Sequence, residues 1–153
     1  MIDLSVLSCI IHLGQLEFPL GGALLETIQV GDFDFLLDLS KPLYEQVLQH
    51  IRHAIARGDV SLGTKLPSVR DLAQQLKLNP NTVMRAYQEL DRDHLTETRR
   101  GQGTFITSDS ETVERVKKAL ASEAVITFVS SMEKLGINRS TAESLLEEVA
   151  WHE

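Results

Sequence analysis

A chain of 153 residues with 15 basic and 22 acidic side chains is about one domain in size, with room for one core and small helical attachments but hardly for a separate catalytic domain. Its hydrophobic share of 42% suits a soluble globular protein, and no stretch approaches the roughly 20 apolar residues of a membrane span. The opening Met1-Ile2-Asp3, with no basic residue before Lys41, does not read as an export signal, so a cytoplasmic location is expected.

Residues 1–36 form an N-terminal extension of unclear role. Leu4 to Leu13 is a short apolar run, and Val30-Gly31-Asp32-Phe33 can turn a hairpin whose partner nothing in the sequence fixes. The segment is either an extra arm or an upstream extension of the reading frame that adds no function. From 42 to 57, Tyr44, Val47, Leu48, Ile51 and Ile55 recur at three- and four-residue spacing between Pro42 and Gly58, which predicts a first amphipathic helix. Ser68, answered by Asp71, caps a short second helix over about 69–76 with Val69, Leu72, Ala73 and Leu76 inward. Asn79-Pro80 starts a third over about 80–93. Its Val83, Ala86, Tyr87 and Leu90 form an apolar stripe opposite Asn81, Arg85 and Gln88. Only Lys77 and Leu78 separate the second and third helices, so the two must cross steeply, as in a helix-turn-helix.

Leu95 to Arg100 and Thr104 to Thr107 then read as a hairpin around Gly101-Gln102-Gly103, a flexible tip with Arg99 and Arg100 beside it. A helix over 111–135 follows, with Val113, Val116, Leu120, Phe128, Met132 and Leu135 as its apolar positions. After Gly136, Ser140 with Glu143 caps a last helix that runs to about Trp151. Apolar stripes with little to cover them in one chain predict a dimer contact through Leu120, Phe128, Met132, Leu135, Leu145 and Trp151. The expected fold is mainly α with a small β-hairpin: a winged helix-turn-helix over 37–107 and a two-helix dimerisation tail over 108–153.

The net charge of −7 runs against nucleic-acid binding, but its distribution matters more. Residues 42–107 hold nine basic and seven acidic side chains, net +2, while the flanks hold 6 and 15, net −9. A basic reader within an acidic remainder suits a single DNA-facing surface.

The strings Leu66-Pro67-Ser68-Val69-Arg70-Asp71-Leu72-Ala73, Asn79-Pro80-Asn81-Thr82-Val83, Arg85-Ala86-Tyr87 and Arg100-Gly101-Gln102-Gly103-Thr104-Phe105 resemble the GntR family of regulators, its YtrA-like subfamily in particular. The resemblance spans about residues 38–151 and is densest in the reader. It implies a transcription regulator that binds a palindromic double-stranded DNA operator as a homodimer, with the third helix in the major groove and the wing beside it. Repression, often of a transporter operon, is the implied outcome. By the same resemblance Arg70 and Arg85 contact DNA, and Gly101 and Gly103 shape the wing. The residues agree: Arg85 can offer a bidentate fork to guanine or phosphate, and Asn81 and Thr82 sit at a helix N-terminus where base edges or phosphate are in reach. The expected DNA-binding set is Ser68, Arg70, Asn81, Thr82, Arg85, Arg99, Arg100, Gly101, Gln102 and Gly103. This chain has Pro80 where many members carry arginine, and His94 where glycine usually ends the third helix. A histidine tolerates the left-handed turn needed there at some cost.

Other chemistry finds little support. His50 and His53 lie one turn apart without a third ligand at matching spacing, so they are expected to face solvent and hold no metal. Cys9 is the single cysteine, which excludes an internal disulfide and a thiolate cluster. No nucleophile–base pairing, phosphate loop or dinucleotide turn appears, so neither an enzyme nor a cofactor is expected. A small-molecule effector, if one exists, would bind at the dimer interface or between reader and tail. The rival reading is a winged-helix protein-docking module.

Overall fold

The computed structural model describes residues 25–149. Two strands, β1 (Leu25–Val30) and β2 (Phe33–Asp38), precede three helices, α1 (Leu43–Arg57), α2 (Val69–Leu76) and α3 (Pro80–Arg92). Strands β3 (Thr96–Arg99) and β4 (Gly103–Ile106) follow, then α4 (Ser110–Lys134) and α5 (Arg139–Glu148). This is the expected winged helix-turn-helix with a helical tail.

Local chemistry sets the reader's boundaries. α1 begins after Pro42 and ends at Gly58, left-handed at φ +79°. The Ser68 hydroxyl accepts the Asp71 N–H at 3.1 Å and donates to the Asp71 carboxylate at 2.6 Å. At α3, Asn79 Oδ1 accepts the Asn81 N–H at 2.9 Å, with Pro80 in the first turn. Each helix of the turn therefore has one of its entry donors satisfied by the side chain of its own cap. The buried stripes of α1, α2 and α3 join Leu66, Leu95 and Ile106 in one core. Tyr87 adds a polar tie, donating its hydroxyl to the Pro67 carbonyl at 2.8 Å, while burial pushes its phenol up. Arg52 of α1 binds Asp93 just beyond α3 through both Nε and Nη2, a partly buried clamp across the bundle.

The wing is wider than a hairpin. Besides pairing with β3, β4 exchanges hydrogen bonds with the link before α2, with Leu66 N–H on the Thr104 carbonyl at 2.9 Å and Ile106 N–H on the Thr64 carbonyl at 2.8 Å. This fixes the wing to the entrance of the helix-turn-helix.

The N-terminal hairpin corrects two expectations. It turns at Gly31-Asp32 as foreseen, with Val30 opposite Phe33, but it has a definite partner. Val30, Phe33, Phe35 and Leu37 are buried in the same core as α1. A division at residue 36 would thus cut β2 between two core side chains. His50 is less free than expected: it is half-buried, its Nε2 lies 2.8 Å from the Leu36 carbonyl and its ring meets Phe35 edge-on, with centroids 5.8 Å apart. His53 is exposed, as expected.

In the tail, α4 matches the expected range, whereas α5 starts earlier. Asn138, not Ser140, is its cap, with Oδ1 accepting the Thr141 N–H at 3.0 Å. Asn138 suits the cap because its short acceptor reaches back into the first turn, leaving Ser140 inside the helix. α5 ends at Glu148, before Trp151, which lies outside the described residues, as do Leu4 to Leu13 and Cys9.

Candidate DNA-binding face

The polar side of α3 is exposed along Asn81, Arg85 and Gln88, opposite a stripe in which Val83, Ala86 and Leu90 are fully buried. Asn81, Thr82 and Arg85 surround one shallow open recess together with Lys41, just before α1, and Leu43 and Tyr44 from its first turn. The helix-turn-helix alone therefore does not make this surface; α1 completes it.

Arg85 is the recess's best-defined cation. Its guanidinium carbon lies 3.7 Å from the centroid of the Tyr44 ring, close enough for the ring's negative face to attract the charge. Lys41 reaches the same recess and pairs with Asp38 at 2.9 Å. Hydrogen bonds from Ser40, then Lys41, hold the Asp38 carboxyl down at about 2. Gln46 fixes this corner by accepting the Asp38 N–H at 2.7 Å and donating to the Asp38 carbonyl at 2.9 Å.

The remaining expected site residues are distributed around this recess rather than within it. Arg70 is exposed on the first turn of α2 and does not line the recess. Ser68 has its hydroxyl engaged in the cap as both donor and acceptor. On the wing, Arg100, Gly101, Gln102 and Gly103 are exposed at the tip. Arg99 lies over the Phe105 ring at 4.5 Å and 3.5 Å from Glu97. Gly101, at φ +74° with nothing within 4 Å of an added Cβ, is needed for its backbone conformation rather than for clearance. Gly103, at φ +119°, has the Lys65 side chain beneath it.

Of the nine cations in residues 42–107, four are ion-paired: Arg52, Arg57, Arg92 and Arg99. Among the described residues Lys65, Arg70, Lys77, Arg85 and Arg100 have no such pair. Three of these five, Arg70, Arg85 and Arg100, are among the four arginines expected on the DNA face, whereas the fourth, Arg99, is paired with Glu97. Lys41 and Tyr44 were not foreseen as members of the site. Tyr44 reads in sequence as one more apolar position of the first helix, and only its place ahead of the buried run hints otherwise. No group of three or more His, Cys, Asp or Glu side chains is placed to hold an ion among the described residues.

The expected dimerisation residues fare unevenly. Leu120, Phe128 and Met132 are half-buried, while Leu135 is 71% and Leu145 43% exposed. Val125, Ile126, Val129 and Leu146, not foreseen, are exposed as well. On α4, the proximal Val113, Val116 and Leu120 share one face. Ala121, Val125, Phe128 and Met132 share another, turned by about a third of a helical turn at 100° per residue. No helix among the described residues is long and apolar enough to cross a membrane.

Comparison with known proteins agrees with this architecture. Residues 43–106 match the family described as bacterial regulatory proteins, gntR family. The chain is 45% identical over 108 residues to the uncharacterized HTH-type transcriptional regulator YhcF of Bacillus subtilis, covering 71% of this chain and 87% of YhcF. It is 47% identical over 73 residues to the HTH-type transcriptional repressor YtrA of the same organism, covering 48% of this chain and 56% of YtrA. A solved GntR family transcriptional regulator from Listeria monocytogenes superimposes with a TM-score of 0.68 at 38% identity, covering 74% of this chain and 100% of that one. With a reader of this shape and relatives that are regulators rather than enzymes, the chain belongs to the GntR family of DNA-binding transcriptional regulators.

Proposed function

We propose that the chain is a cytoplasmic homodimeric repressor that grips an inverted-repeat operator, with the first turns of two α3 helices in successive major grooves and the wings beside them. The observation that carries this reading is the recess in which Asn81, Thr82 and Arg85 face outward beside Lys41. Arg85 would read guanine through its fork, Asn81 and Thr82 would approach neighbouring bases or phosphate, and Arg70, Arg99 and Arg100 would bind backbone. The tail would pair the protomers through the distal face of α4, with α5 alongside. Occupancy of a promoter would block polymerase, and the similarity to a repressor, YtrA, supports that sign. A transporter operon is the proposed target, and any small-molecule effector would enter between the protomers or between reader and tail.

A band-shift titration on the protein's own upstream promoter, against an unrelated duplex and at two salt concentrations, tests this. Tight, competitor-resistant and salt-weakened binding is expected. Arg85→Ala should lose about 1–3 kcal/mol of specific affinity with the dimer intact. Absence of all DNA binding would overturn the reading and leave the surface as a protein-docking face.

A further inference from the structure

Tyr44 stands in the first turn of α1, ahead of the run Val47, Leu48 and Ile51 that enters the core, and it is only half-buried. Its hydroxyl donates to the Glu45 carboxylate at 2.7 Å, which anchors the outer end of the ring and pushes the phenol up. The ring face is left to Arg85, at 3.7 Å. The acid nearest along α3, Glu89, is taken by Arg92 at 3.0 Å. Among the described residues the Arg85 guanidinium has neither an ion pair nor a hydrogen bond. The ring holds the guanidinium carbon from one side, while Arg85 itself is exposed and lines the open recess.

An arginine that must be ordered on binding loses rotamer freedom worth about 0.5–1.5 kcal/mol. One already seated on a ring has lost part of it beforehand. We propose that Tyr44 is a positioning residue that pre-orders the Arg85 fork for a guanine edge, without a DNA contact of its own. This rests on the DNA-recognition reading above. It makes α1, outside the helix-turn-helix, a determinant of base discrimination.

The test is a double-mutant cycle on the full chain, using a duplex selected by the wild-type protein from a random-sequence library. Tyr44→Leu should weaken binding about fivefold, equivalent to ~1 kcal/mol, with the salt dependence unchanged because no phosphate contact is lost. Tyr44→Phe, which keeps the ring, should recover most of that loss. In an Arg85→Ala background, Tyr44→Leu should cost nothing further. An equal loss in that background, whether through folding or a separate contact, overturns the proposal. So does a Tyr44→Phe loss as large as that of Tyr44→Leu, which would assign the effect to the hydroxyl. Failure of the wild-type chain to discriminate its selected duplex from competitor would instead overturn the DNA-recognition reading, and this inference with it.

Discussion

His94 and Lys77 hold left-handed backbones at φ +59° and +54° with side chains that disfavour them. Each closes a helix: the Leu95 N–H reaches the Leu90 carbonyl at 2.9 Å, and the Leu78 N–H reaches the Ala73 carbonyl at 2.8 Å. The strain is local, since the hydrogen bonds of the motif are intact. His94→Gly should therefore stabilise the chain by about 0.5–1 kcal/mol, read as a higher urea midpoint with unchanged slope. Asp38 offers a second single-residue test. Its carboxyl is held at about 2, below the ordinary 3.8, by Ser40 first and Lys41 second. A depressed carboxylate favours the folded state above the unfolded value, and that contribution disappears as pH falls from about 4 to about 2. Asp38→Asn should thus be less stable than the wild type near neutrality, with the difference shrinking across that acid window in denaturation midpoints.

Among the elements, the N-terminal hairpin and α4 carry the most consequence. Through Phe35 and Leu37 the hairpin is part of the core, and through Asp38 and Gln46 it sets where Lys41 stands. α4 does two tasks in sequence: its first turns pack on the reader through the buried Val113, and its distal turns expose Val125, Ile126 and Val129. An aspartate on the distal face should separate protomers and leave the reader folded. Phe128→Asp is expected to sediment as a monomer while keeping the wild-type far-ultraviolet spectrum, and a dimer at wild-type strength would place the contact elsewhere.

For the whole molecule, the distribution of charge reconciles an acidic chain with DNA binding. Four reader cations are held by internal acids, and the arginines left without such partners include Arg70, Arg85 and Arg100. The same view explains what could be read in advance. Caps such as Ser68 with Asp71, and Asn79 with Pro80, declare themselves because donor and acceptor are a few residues apart. The stripes of α1, α2 and α3 follow from period alone. The Tyr44–Arg85 stack was illegible because it joins two helices, and a half-exposed tyrosine resembles a core one in periodicity. The hairpin's partner was illegible for the same reason. On α4, Leu120 and Phe128 read in sequence as one stripe, yet eight residues is about 80° off register, so one apolar list concealed two faces.

In the proposed dimer that offset makes α4 a mechanical gauge. It runs unbroken for 25 residues, about 37 Å, close to one turn of duplex DNA. The bearing of its far end relative to the reader is therefore fixed by residue count. One residue inserted between Leu120 and Ala121 would swing that end by about 100° and should abolish gripping of the native operator. Seven would restore the bearing to within about 20° while adding about 10 Å, so operators selected by that variant should have half-sites set further apart. The spacing of the two half-sites would thus be written in the number of residues along one helix.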